Sequence, residues 1–382
     1  GGATACETNV SDGFGQTVTV RQSTVETIEY NRDKGLSVTV YLGQKRGNAS
    51  TSDFSPQAIR DTVAAALSIA RYTAEDDCAG LAEKDRLARD YPQLALYFPW
   101  QLSVEQAIGL AKECEQAGFA ADPKITNSEG ATVSTSESQF IYANSLDFMG
   151  GYPVSRHSVS CALIAEHNES KQRDYWYSVA RDAVDLESAQ EIGRKTGLRS
   201  AARLGARKIA TCEVPVIFEA PIASSLIGHF ASAISGGSLY RKSSFLLDSI
   251  GEQVFAPDIQ ILDLPYLPKG LGSGPFDEDG VATMERKIVE NGIVQGYFLG
   301  SYSARKLKMD TTGNAGGAHN LIIQSANTLD VPALLKKLHT GLLVTELLGH
   351  GVNGVTGDYS RGASGFWVEN GRIAYPVEEI TI

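Results

Sequence analysis

Two Asn-Gly pairs constrain this chain more than any other feature. One lies in "MERKIVENGIVQGYFLG" (284–300) and the other in "FWVENGRIAYPV" (366–377), each between runs of β-forming residues. Asn-Gly favours the tight turn whose twist matches two paired antiparallel strands, so each pair commits its surroundings to a hairpin. From "CEVPVIFEAP" (212–221) onward the sequence reads as strands and Gly-rich turns. The exceptions are an opening helix and a short one in "DVPALLKKLHTG" (330–341). Residues 206–382 are therefore expected to form a mostly antiparallel β domain.

Residues 1–205 have a different texture, that of an α+β domain. "QTVTVRQSTVETIEYNRDKGLSVTVYLG" (16–43) alternates with period two around a polar "NRDKG", which predicts antiparallel strands joined by a turn there. In "SPQAIRDTVAAALSIARYT", Ser55 is placed to cap a helix with Pro56 at its first position; Ile59, Val63, Ala66, Leu67 and Ala70 share one face. Ser103 and Gln106 form a capping box for a second helix ending near Gly118. Strands follow over roughly 130–180, including "SVSCALIAEH" and "DYWYSVARD", and then a helix over about 186–205. The whole chain is expected to be α+β.

Composition excludes several classes. With 382 residues, 42% hydrophobic and 21% charged, the chain can build a large core. A net charge of −11 and the lack of a Lys/Arg run argue against direct nucleic-acid binding. No apolar stretch reaches the ~18 residues of a membrane span, and "GGATACETNVSDGFGQ" does not read as a signal peptide. Cys6, Cys78, Cys114, Cys161 and Cys212 are dispersed, with no CxxC. That usage fits a reducing cytoplasm, where the protein is expected to reside.

The segment "SSLIGHFASAIS" (224–235) raises the question of metal chemistry, because it places His229 inside a helix. A zinc-peptidase helix needs a second ligand one turn away and a Glu to activate water. Four residues to either side stand Ser225 and Ala233, five away stand Ser224 and Ile234, and no Glu occurs between Ala223 and Leu239. No metal site is expected here. His157 and Cys161 share a strand face but are only two ligands, and His319 and His350 read as turn residues.

No G-x-S-x-G elbow is present, so no catalytic residue is assigned. "KGLGSGPFDEDG" and "TTGNAGGAHN" lack the ending of a phosphate loop and read as exposed turns, with the acidic 277–279 a solvated tip. Two loops hold polar and aromatic groups suited to a binding cleft: Tyr240, Arg241 and Lys242 after Gly236-Gly237, and Asp358, Tyr359, Ser360 and Arg361 in "TGDYSRGASGFW". The competing reading is that each arginine anchors its own loop by pairing with an aspartate.

Longer stretches carry a family resemblance. "HFASAISGGSLYRKSSFLLDSIGEQV", "SYSARKLKMDTTGNAGGAHN" and "TGLLVTELLGHGVNGVTGDYSRGASGFWVENGRIAYPVEEITI" resemble the PmbA/TldE side of the TldD/TldE metallopeptidase family, also described as modulators of DNA gyrase. "VTVYLGQKRGNASTSDFSPQAIRDTVAAALSIARYT" and "KITNSEGA" extend the likeness to nearly the whole chain. Family members begin earlier and continue beyond "EEITI", so a trimmed form is expected.

The resemblance implies one subunit of a cytoplasmic heterodimer that processes or degrades small unfolded proteins and peptides. Its TldD-type partner carries a His-Glu-x-x-x-His helix and a divalent metal, expected to be zinc. Laid over this chain, the motif positions fall on Ile227, Gly228 and Ser232, so no cofactor is expected in this subunit. The further Cys ligand of the TldD-type site falls beyond residue 382 and does not bear on the comparison. His229, Tyr240, Arg241, Tyr359 and Arg361 are the candidate substrate-binding residues, clamping side chains or a terminal carboxylate of a peptide added as a strand. Without its partner the chain is expected to form a homodimer through the same surface. The alternative is a non-enzymatic regulator of the gyrase-modulator kind.

Overall fold

The computed structural model describes residues 2–382. Three strands open the chain: β1 (Ala5–Arg21), β2 (Thr24–Leu42) and β3 (Lys45–Thr51). Two helices follow, α1 (Pro56–Tyr72) and α2 (Val104–Ala121), separated by an irregular segment. Then come β4 (Ile125–Asn144), β5 (Met149–His167), β6 (Ser170–Ala180) and α3 (Ala189–Ala202). The six strands form one antiparallel sheet in the order β3-β2-β1-β4-β5-β6.

The capping residues act as their types require. Ser55 Oγ accepts the Ala58 amide, and Ser103 and Gln106 exchange both bonds of a capping box. The apolar face of α1 packs Val63, Ala66, Leu67 and Ala70 on Val38 and Val40 of β2. Helices α2 and α3 cover β1, β4 and β5 over a core of Val18, Val133, Leu163 and Ile192. Their backbones touch where Gly193 meets the Cys114 carbonyl; a Cβ there would collide with it.

One expectation is corrected. The β1–β2 turn lies at Gln22-Ser23, both left-handed (φ 49° and 59°), and not at "NRDKG". Asn31–Gly35 are strand residues paired with Gly15–Ser11. Residues 24–34 are exposed on both faces, so their polarity reflects solvent on two sides of a strand.

The remaining elements are β7 (Val216–Phe218), α4 (Ala220–Ala233), α5 (Gly236–Tyr240), β8 (Ile259–Asp263), β9 (Arg286–Glu290) and β10 (Ile293–Val294). They continue with α6 (Ser301–Leu307), β11 (Leu321–Ser325), α7 (Val331–Leu338), β12 (Gly341–Leu348), β13 (Gly362–Glu369) and β14 (Arg372–Thr381). One sheet runs β10-β9-β8-β11 and the other β14-β13-β12-β7, with every pairing antiparallel except β7 on β12.

The architecture is mixed α+β. Both Asn-Gly pairs form turns, with positive φ at Asn291-Gly292 and Asn370-Gly371. Two helices go beyond the sequence reading. α5 restarts at Gly236 under a Ser235 cap, where the two glycines suggest a connection, and α6 occupies "SYSARKL".

Apolar packing and ion pairs run between the earlier and later residues. Tyr142 and Phe148 share a cluster with Phe276 and Val281. From α3, Arg199 binds Glu219 and Arg203 binds Glu346. Among the described residues, no helix is long and apolar enough to cross a membrane.

Candidate binding cavity beside α4

Helix α4 is held at its start and along one face. Glu219, its N-cap residue, donates its amide to Val344 O and accepts both terminal guanidinium nitrogens of Arg199, at 2.6 and 3.0 Å. Phe230, Ala233 and Ile234 are buried in the core, with Phe230 edge-on to Phe255. That face fixes the helix rotation and leaves His229 beside a cavity of about 220 Å³.

The opposite wall is the loop between β12 and β13. It folds back on itself through Ser360 N to Gly351 O (2.7 Å), Asn353 N to Asp358 O (2.9 Å) and Gly357 N to Asn353 O (2.8 Å). A side chain on Gly351 would strike the Ser360 carbonyl, so the close return of this loop requires glycine there. The fold-back carries Tyr359 against His229, ring edge to face at 6.1 Å, and sets Arg361 in the cavity wall with His350.

Polar atoms here lack partners. His229 Nε2, the Tyr359 hydroxyl and Arg361 Nε are all enclosed and hydrogen-bond to nothing among the described residues. The Arg361 guanidinium makes no ion pair with them either. Arg–Asp anchoring therefore does not describe this loop: Asp358 accepts instead from Thr356 Oγ1 at 2.6 Å. Burying these three polar atoms without partners costs free energy that an incoming hydrogen-bonding group would recover.

The five candidate residues divide. His229 and Arg361 line the cavity and Tyr359 packs on the His229 ring, whereas Tyr240 and Arg241 lie outside the lining. Arg241 Nη1 donates to Tyr240 OH (3.1 Å), and Tyr240 packs edge-on to Tyr302 at 5.7 Å. Tyr302 in turn donates to Asp76 Oδ2 (2.6 Å), and Lys306 Nζ reaches Asp76 Oδ1 (2.7 Å). Those bonds, Lys306 first, hold the Asp76 carboxyl down at about 2. Asp76, Asp77 and Cys78 stand close together, but both Asp76 oxygens are already taken.

His350, Ser232, Ser243 and Phe245 also line the cavity, beyond the residues that the sequence points to. The glycines around His350 are the available signal, and they suit a simple turn equally well.

A second cavity, of about 330 Å³, lies between the two Gly-rich loops. They are its walls, and two expectations about them fail. Asp277 is not a solvated tip: it is 5% exposed and accepts the Asp279, Val281 and Ala315 amides. Burial, with the charge of Asp279, pushes its carboxyl up to about 7 against the pull of those amides. His319 is no free turn residue either, since its Nδ1 lies 3.1 Å from the fully buried Asp263. His157 is structural, tied to Thr135 Oγ1 and Phe98 O at 2.8 Å each.

Comparison with known proteins decides the family. Models of the PmbA/TldA metallopeptidase family match as domain 1 at residues 6–70, as central domain at 97–204 and as C-terminal domain at 211–382. This chain belongs to the PmbA/TldE family. It is 49% identical to the metalloprotease PmbA homolog of Haemophilus influenzae over all of this chain and 84% of that protein. It is 48% identical to metalloprotease PmbA of Escherichia coli O157:H7, again over all of this chain and 85% of the relative. A Haemophilus influenzae metalloprotease TldD homolog is 23% identical over 92% of this chain and 77% of its own length. A crystal structure from Bacteroides thetaiotaomicron, described as a candidate modulator of DNA gyrase, superposes with a TM-score of 0.93 at 26% identity. That match covers all of this chain and 86% of the other.

Proposed function

We propose that this chain is the TldE-type subunit of a heteromeric peptidase, binding unfolded peptides for a TldD-type partner that holds the metal. The supporting observation is a full-length family match in which the metal-helix positions carry Ile227, Gly228 and Ser232. None of the six histidines is followed by glutamate. Haemophilus influenzae has both a PmbA and a TldD homolog, as a two-subunit enzyme requires.

The cavity does not fit a resident metal. A divalent ion needs at least three N, O or S ligands, and here His229 and His350 stand beside an uncompensated guanidinium. The chemistry assigned to this subunit is binding and orientation. Strand β7 pairs only with Leu342–Val344, which leaves Thr345–Leu348 of β12 without a strand neighbour on that side, and a peptide added there as a strand would gain main-chain bonds without a sequence requirement.

Co-expression with a chain carrying His-Glu-x-x-x-His tests the assignment. A stable complex that cleaves unfolded peptides, with its zinc lost on mutating the partner's motif, supports it. Stoichiometric tightly held metal in this chain alone overturns it, as does peptidase activity without the partner. Binding to DNA gyrase with no such complex would favour a regulatory role.

A further inference from the structure

We propose that the cavity beside α4 is a monoanion site that takes the C-terminal carboxylate of a peptide. The inference rests on the peptide-binding reading above and names the chemical group that is gripped. Three enclosed polar atoms from two separate segments lack partners: His229 Nε2 from α4, and the Tyr359 hydroxyl and Arg361 Nε from the β12–β13 loop. His229 and Arg361 line the cavity together, and Tyr359 packs on His229. Arg361 is half-buried, with its Nε enclosed and its guanidinium unpaired, so an anion arriving in the cavity meets a donor that no protein group satisfies.

The lining defines the sign of the missing charge. It contains no Asp or Glu, although the chain as a whole carries −11. Its polar groups are Arg361, two imidazoles and the hydroxyls of Ser232, Ser238 and Ser243. Arg361 is the one cation among them. A planar guanidinium fork matches a carboxylate, and the neighbouring hydroxyl and imidazole N–H groups satisfy the remaining lone pairs.

The same lining argues against a phosphate. A dianion needs more than one positive charge, and Arg361 is the one cation in the lining. The volume of about 220 Å³ admits a terminal residue rather than a folded surface. Phe245 supplies an apolar wall for its side chain. An Asp or Glu side chain carries the same chemistry as a terminus, so the test separates the two.

The test uses the intact chain without a partner. Fluorescence anisotropy would compare one unstructured, dye-labelled peptide as the free acid, as the C-terminal amide, and as the amide ending in Asp. The free acid is expected to bind roughly tenfold or more tighter than the plain amide, as loss of a charge-assisted bond predicts. The Asp-ended amide should resemble the plain amide. Arg361→Gln should remove the preference and Arg361→Lys retain part of it. Inorganic phosphate should compete less well than acetate.

Equal binding of acid and amide by the unmodified chain overturns the proposal whether or not the variants fold. Equal binding of the Asp-ended amide and the acid overturns the assignment to a terminus, and tighter binding of phosphate overturns the monoanion. These failures differ from failure of the subunit reading. A complex that assembles and cleaves acid and amide peptides alike leaves that reading standing while removing this one.

Discussion

Arg199 on α3 grips Glu219, the residue that starts α4, through both ends of its guanidinium: Nη1 to Oε1 at 2.6 Å and Nη2 to Oε2 at 3.0 Å. The pair ties the helix that covers the large sheet to the helix that bears His229. Its side chains are 21% and 26% exposed, and it is bidentate, so it should contribute more than a surface pair. A double-mutant cycle with Arg199→Ala and Glu219→Ala is expected to give about 1–3 kcal/mol of coupling in urea unfolding. The exposed Arg194–Glu191 pair should give about 0.5 kcal/mol or less. Equal coupling in the two cycles would refute the role assigned to Arg199.

Glycines in the helices provide an opposed pair of predictions. Gly193→Ala puts a methyl group into the Cys114 carbonyl where α2 and α3 cross, and no flexible side chain can yield there. Loss of soluble expression, or destabilisation of about 3 kcal/mol or more, is expected. A methyl group added to Gly109, within α2, would meet nothing within 4 Å. Gly109→Ala should raise stability by about 0.5–1 kcal/mol. Thermal melts of the two variants check both signs.

Asp277 makes stability pH-dependent in a stated direction. Its carboxyl titrates near 7 in the folded chain against an ordinary value of 3.8. Between those values the folded state holds a proton that the unfolded state has released. The contribution is thus fully present below about 4 and is lost as pH rises through about 7. The advantage of the unmodified chain over Asp277→Asn should therefore shrink between pH 5 and pH 8, by an amount on the order of 1 kcal/mol or more. Urea midpoints at each pH give the difference; a constant offset would show that Asp277 is ionised throughout.

Local signals are legible in the sequence and meeting places are not. Ser55, the Ser103–Gln106 box and both Asn-Gly pairs do what their types dictate, because each needs only neighbours within a few residues. "NRDKG" has the composition of a turn, yet β1 pairs along its whole length and the chain reverses earlier, at Gln22-Ser23. Asp277 looks solvated in sequence and is buried because Phe276 beside it enters a cluster with Tyr142 and Phe148. The α4 cavity joins His229 to Arg361, far apart in the chain, with Tyr359 packed on the His229 ring. Only the folding of the β12–β13 loop onto α4 shows that Arg361 belongs with His229 and Arg241 does not.

The two arginines accordingly separate in kinetics. Arg361 is half-buried, unpaired and in the cavity wall, whereas Arg241 is exposed and leans on Tyr240 outside it. In a complex reconstituted with a TldD-type partner, Arg361→Ala should raise KM for peptides roughly tenfold with little change in kcat. Loss of binding common to ground and transition states has that signature, whereas damage to the chemistry lowers kcat. Arg241→Ala should move KM less, because an exposed contact on a neighbouring ring is worth only about 0.5–1 kcal/mol. Metal content of the complex should be unchanged in both variants, since neither residue supplies a ligand. A fall in kcat at constant KM for Arg361→Ala would place that residue in the reaction itself. Dissociation of the complex would place it in the subunit interface, and either result removes it from the peptide clamp.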